Sequence, residues 1–317
     1  MKKIFFALAA VVAFASCANE ETVMEAPKQA IEFGDVFVDN ATRATDYTYG
    51  STNKLKEFNV YGTVSGTMNG GGTINIFDGD KVTGTAGTNT VWSCNETQFW
   101  VPGATYNFAA VVDATVATSE DSYGMPITLT TVADNNMNFK DMLYATDSVG
   151  SAAADQAPID FSFSHLLSKV QFTVTSTATG DYKHTVKNIK VQNFTSGTYT
   201  IANGTWAGTD NTKYVDFGSI VGVTSSNTAT NATQMLLVPN ANTFKVTFTV
   251  DIYKGDALIG TQDYEKDVTI KDGDTLVGLQ KGNAYNFTIA CSMGNPIQFS
   301  VTNDPTGWGD GGSVNIQ

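Results

Sequence analysis

The sequence predicts an all-β protein, two β-sandwich domains in tandem behind a removable leader. Three observations carry this. Period-two apolar alternation recurs along the chain, its runs end in Gly, Asn, Asp or Pro, and no window longer than a few residues keeps a helical period. Many short strands separated by such turns are the mark of sandwiches.

Residues 1–16 read as an export signal. Lys2 and Lys3 precede the apolar run from Ile4 to Ala15, which is shorter than the roughly 20 residues a bilayer span needs. Phe14-Ala-Ser-Cys17 sets small residues before a cysteine in the manner of a bacterial lipoprotein signal, with Phe14 where an aliphatic residue is usual. Cys17 would then carry lipid and tether the chain to a membrane without any transmembrane helix. A secretory signal cut elsewhere is the competing reading.

The stretch from Ile31 to Val60 reads as an apolar run, a polar loop and a second apolar run. Ile31, Phe33, Val36 and Val38 make one apolar run, and Leu55, Phe58 and Val60 make the next. Between them lies Asn40-Ala-Thr-Arg-Ala-Thr-Asp46, and Arg43 is the only arginine in the sequence. A lone arginine in a small polar loop is an addressable cut point for an arginine-specific protease, between Arg43 and Ala44. The plain alternative is an exposed charge on a connecting loop.

The first domain is expected over 44–154, with Tyr106, Phe108, Ala110 and Val112 alternating with Asn107, Ala109 and Val111. Patterning is weakest from Ser148 to Ala157, so the second domain is set at 155–317. Its inward-facing sets are Ile159, Phe161 and Phe163; Val170, Phe172 and Val174; Val246, Phe248, Val250 and Ile252; Tyr285, Phe287 and Ile289. Lys254-Gly-Asp256 and Asp272-Gly-Asp274 are expected turns. His165-Leu-Leu-Ser168 is at most one irregular turn.

Of 317 residues, 42% are hydrophobic and 15% charged, with a net charge of −13. That balance is ample for burial and leaves no basic track for a phosphate backbone, so no nucleic-acid partner is expected. Cys94 and Cys291 could pair in an oxidising compartment, but both sit in apolar-alternating runs, as free buried thiols do.

No catalytic constellation can be assembled, and no enzyme activity, metal or cofactor is expected. There is no nucleophile elbow, P-loop or dinucleotide-binding glycine pattern. His165 and His184 are the only histidines, and His165, beside a core-like strand, reads as a structural residue. Asp78, Asp80, Asp272, Asp274, Asp304 and Asp310 fall in Gly-containing turns that Asp stabilises through its own backbone. Trp92, Trp100, Trp206 and Trp308 could form a sugar-stacking platform, although aromatics in strands are more often core.

Taken together, the lipobox at Cys17, Ile31-Glu-Phe33 with Thr42-Arg-Ala-Thr45, Phe161-Ser-Phe-Ser-His-Leu-Leu-Ser-Lys-Val170, and Met235-Leu-Leu-Val-Pro239 with Lys281-Gly-Asn-Ala-Tyr285 and Trp308 give a chain that resembles the fimbrillin family, the FimA/Mfa-like subunits of type V pili in Bacteroidales. The resemblance implies two transthyretin-like or immunoglobulin-like domains and export as a lipoprotein. It also implies that residues 17–43 are a propeptide with a removable first strand, that the chain is cleaved after Arg43, and that it then polymerises by donor-strand exchange with other fimbrial subunits, whether copies of itself or tip and anchor subunits. The donor is expected within residues 294–317, where Ile297, Phe299 and Val301, then Val314 and Ile316, alternate. A monomeric surface lipoprotein, or a tip adhesin binding glycan or a host ligand, is the alternative.

Overall fold

The computed structural model describes residues 29–38, 55–66, 71–85, 91–230, 234–240, 243–272, 275–293 and 297–303. Among these there are 22 strands and no helix. The first nine are β1 (Phe33–Val38), β2 (Glu57–Ser65), β3 (Thr73–Thr85), β4 (Val91–Cys94), β5 (Thr105–Val112), β6 (Ala114–Thr118), β7 (Pro126–Thr131), β8 (Leu143–Val149) and β9 (Ile159–His165). Then come β10 (Ser168–Ser176), β11 (Tyr182–Asn193), β12 (Ser196–Thr200), β13 (Thr205–Thr209), β14 (Lys213–Val223), β15 (Ala229–Thr230) and β16 (Met235–Leu237). The chain ends with β17 (Phe244–Lys254), β18 (Ala257–Val268), β19 (Lys271–Asp272), β20 (Thr275–Leu276), β21 (Ala284–Cys291) and β22 (Gln298–Asn303).

The first half forms a seven-stranded sheet in the order β1-β9-β8-β5-β2-β3-β4. Its two ends meet. Ile31 N–H donates to Gln98 O at 2.8 Å and Trp100 N–H to Gln29 O at 2.9 Å, just beyond β4. The sheet thus wraps a core that includes Val60, Phe77, Tyr106, Phe108, Phe161 and Phe163. In the second half, β15, β10, β21 and β22 with β16 face the sheet β14-β11-β17-β18. The two faces enclose Phe172, Val191, Phe217, Phe248 and Phe287, the packed-sheet arrangement the alternation predicts.

Most inward-facing sets lie as expected. Gly255 turns the hairpin from β17 to β18 with φ of 59°, a conformation that costs glycine little. β5 departs from simple alternation. Phe108 and Ala110 enter the first core, while Ala109 and Val111 enter a separate cluster on the other face. A strand covered on both faces carries a continuous apolar run.

What covers that second face is a four-stranded sheet, β13-β12-β7-β6, made of one hairpin from each half. Leu129, Phe139, Leu166, Leu167, Tyr199 and Val238 pack beneath it. β9 lies C-terminal to the division expected after Ala154, yet it pairs with β8 and β1 and its Ile159, Phe161 and Phe163 fill the first core. Hydrogen bonding therefore carries the first sheet as far as His165, and the chain crosses to β10 through Leu166 and Leu167.

Candidate functional site

The site is the edge strand β1 and the groove it occupies. Every other pairing in its sheet is antiparallel, but β1 runs parallel to β9. Ile31, Phe33, Val36 and Val38 are all buried, at 5–7% exposure. The register shifts between Phe33 and Val36, so the inward set runs 31, 33, 36, 38 without strict alternation. A β-bulge does this by adding a residue to one strand.

Phe33 anchors the strand. Its ring centroid lies 5.9 Å from Phe58, 5.9 Å from Phe77 and 6.0 Å from Phe161, distances at which aromatic pairs attract. Gly34 follows, and a Cβ there would stand 2.3 Å from Asp160 Oδ1 and 3.2 Å from Pro158 Cβ. The same Asp160 oxygen accepts the Asp35 backbone N–H at 2.7 Å. Glycine at 34 is thus what lets the carboxylate reach the β1 backbone.

The remaining expected positions divide. Cys17, Arg43, Ala44, Val314 and Ile316 lie outside the described residues. Ile297, Phe299 and Val301 belong to the end of the second half, where β22 pairs antiparallel with β21. Val301 is buried, and Phe299 packs on Phe287 at 5.8 Å and Phe248 at 6.1 Å between centroids.

The polar groups weighed for chemistry are structural in their contacts. His165 Nδ1 lies 2.9 Å from Asp141 Oδ1, both side chains buried where the chain crosses between halves. His184 Nδ1 lies 2.7 Å from Ser176 Oγ. Its Nε2 is buried without a partner, so no carboxylate completes a triad, and burial holds its pKa below the ordinary value. Asp80 Oδ2 accepts the Asp78 N–H at 3.0 Å, a local turn contact. Among the described residues no cluster of His, Cys, Asp and Glu could hold a metal.

Trp100 is buried against Tyr106 and Phe108. Trp92 leans on Phe58 and Trp206 on Tyr199, so these three are packing residues and share no platform. Trp308, Asp274, Asp304 and Asp310 lie outside the described residues. Cys94 and Cys291 are free thiols; Cys291 lies in the second core, and Cys94, partly buried, packs against the first.

Sequence reasoning missed the three-ring box around Phe33 and the Gly34–Asp160 contact. The signal was present as Phe33-Gly34-Asp35, but its meaning depends on Pro158 and Asp160, more than a hundred residues away.

Two solved structures share the fold. A Bacteroides uniformis protein assigned to cell adhesion matches 87% of this chain and 98% of its own, at 21% identity and a TM-score of 0.55. A Bacteroides ovatus protein of the same description matches 87% and 96%, at 14% identity and a TM-score of 0.52. No curated protein sequence matches. The fimbrillin-like family model matches residues 42–305, most of the chain. With this sheet architecture and that match, the chain belongs to the fimbrillin-like family.

Proposed function

We propose that the chain is a shaft subunit of a surface fimbrium that supports adhesion. In this reading it crosses to the outer membrane as a lipoprotein on Cys17, is cut after Arg43, and polymerises by donor-strand exchange. The observation that carries the reading is the burial of Ile31, Phe33, Val36 and Val38 from an edge strand that precedes Arg43. The next strand, β2, lies inside the same sheet between β5 and β3. A cut between residues 38 and 55 therefore separates β1 from β2 without interrupting any other strand among the described residues.

Magnitude makes the loss consequential. Burying each such side chain contributes about 1.5–3 kcal/mol, so the four together contribute on the order of 6–12 kcal/mol, an upper estimate. That rivals the roughly 5–15 kcal/mol by which a whole domain is stable. A subunit stripped of β1 also exposes the hydrogen-bonding edge of β9, and a strand from a second subunit satisfies both deficits. Such a head-to-tail contact does not close and grows a filament.

The test is incubation of the Ala18–Gln317 form with an arginine-specific protease. The expected result is a new amino terminus at Ala44 and a ladder of multimers on an unheated denaturing gel, both abolished by Arg43→Ala. Cleavage without a ladder would reassign the chain to a tip role. No cleavage would favour a monomeric surface lipoprotein.

A further inference from the structure

We propose that the groove under β1 selects its replacement strand by an aromatic side chain followed by glycine, and that Trp308-Gly309 in the tail of a second copy supplies that pair. This rests on the exchange reading above and names the donor segment within it.

The Phe33 subsite imposes two demands. Phe58, Phe77 and Phe161 surround the anchor ring at 5.9–6.0 Å, so a strand without a large apolar group there leaves a cavity. A Cβ on the next residue would lie 2.3 Å from Asp160 Oδ1, so it fits only if that carboxylate moves. Any swing of that carboxylate to make room would give up its 2.7 Å bond to the following backbone N–H.

Aromatic-Gly-Asp occurs twice in the sequence, as Phe33-Gly34-Asp35 and as Trp308-Gly309-Asp310. The order is the same in both, so a tail entering parallel to β9, as β1 does, presents ring, glycine and amide in the required sequence. The tail lies beyond Asn303, the last residue of β22, and leaves β22 in place.

The other expected donor segment offers a ring but fails the glycine demand. Phe299 is followed by Ser300, whose Cβ would collide with Asp160. Phe299 is also already packed on Phe248 and Phe287 within its own subunit. Past the tripeptide the tail departs from β1: Gly311 and Ser313 replace Val36 and Val38, and Val314 and Ile316 repeat the valine spacing three residues later. Gly311-Gly312-Ser313 must loop out for those two to reach the remaining subsites.

The experiment uses the Ala18–Gln317 chain, processed at Arg43, and counts multimers. Trp308→Ala and Gly309→Val are expected to cut multimer yield roughly tenfold or more, the effect of a kcal/mol or two at a packed site. Asp160→Ala placed in the Gly309→Val chain removes the clash and should restore much of the yield. Normal ladders from both single variants overturn the donor assignment while the exchange reading stands. A Gly309→Val defect that Asp160→Ala leaves untouched overturns the glycine demand. Phe33→Trp in the unprocessed chain reads the box directly, and failure of that variant to fold would exclude an indole there. Absence of a ladder from the parent sequence defeats the exchange reading and this inference with it.

Discussion

The hydroxyls of Thr130 and Thr198 share a hydrogen bond of 3.0 Å, across a strand pair whose members come from opposite halves of the chain. β7 and β12 align there as Thr130↔Thr198, Leu129↔Tyr199 and Thr128↔Thr200. Beneath them Leu129 is fully buried in the cluster that also holds Leu166, Leu167 and Val238. The two halves are thus joined by a ladder and a shared core as well as by the covalent crossover.

That union predicts how the molecule unfolds. Leu129→Ala should cost about 2–5 kcal/mol, as for other fully buried leucines. Because both halves own the cluster, urea unfolding should remain a single transition that shifts as a whole, by circular dichroism and by tryptophan fluorescence alike. Two separated transitions in the parent protein would show that the shared sheet does not couple the halves.

The β12–β13 hairpin offers a sharper steric test. Gly208 sits under the Phe194 ring, and a Cβ there would lie 2.2–2.4 Å from three ring carbons. Gly208→Ala should cost about 1–3 kcal/mol through overpacking. Phe194→Ala in the same chain should remove most of that increment, giving strong coupling in a double-mutant cycle. Additive costs would mean the ring moves aside freely.

How much of this was legible in the sequence follows from the range of each signal. Ile159, Phe161 and Phe163 announce a strand through their own alternation, a local property. That the strand belongs to the first sheet is decided by pairing with Leu143, Tyr144 and β1, which no local pattern encodes. The weakly patterned stretch from Ser148 to Ala157, where a boundary is expected, lies mostly in the connection between the neighbouring strands β8 and β9. The β6–β7 and β12–β13 hairpins were missed because Thr, Ser and Gly dominate them, and their burial depends on a partner hairpin from the other half. The apolar run ending at Val38 was visible. Its parallel direction, its bulge and the aromatic box under Phe33 were not.

Thiol chemistry separates the two cysteines from a disulfide. Burial pushes the Cys291 thiol up to about 12 and raises Cys94 as well, with the Asp80 and Glu96 charges adding to the latter. The thiolate is the reactive form. In the Ala18–Gln317 form, which lacks Cys17, Cys291 should resist an aromatic disulfide reagent at pH 8, and both thiols should react once urea unfolds the chain. Fewer than two thiols after unfolding without reductant would reveal a bond between them.

The outer face of the second sandwich predicts a specific acid response. Asp251 is 2% exposed at its side chain and lies 2.5 Å from Lys187 Nζ across β11 and β17. Thr261 Oγ1 donates to its other oxygen at 2.8 Å. Burial alone would push the Asp251 carboxyl upward, but the Lys187 and Thr261 hydrogen bonds and the lysine charge outweigh it, and the net shift is down. Lys187 moves up, chiefly through its hydrogen bond to Asp251. A depressed carboxylate contributes stability above its unfolded pKa of about 3.9 and loses it as pH falls through the folded value. The raised lysine contributes below its unfolded pKa of about 10.4 and loses that as pH rises through the folded value, so the pair is intact across the neutral range. Asp251→Asn keeps the shape and an acceptor for Thr261 but removes the charge. Its urea midpoint should fall below the parent's at pH 7, and the gap should narrow steadily as pH drops below about 4. A gap that stays constant down to the lowest pH at which both chains fold would mean that Asp251 carries no charge-dependent share of the stability.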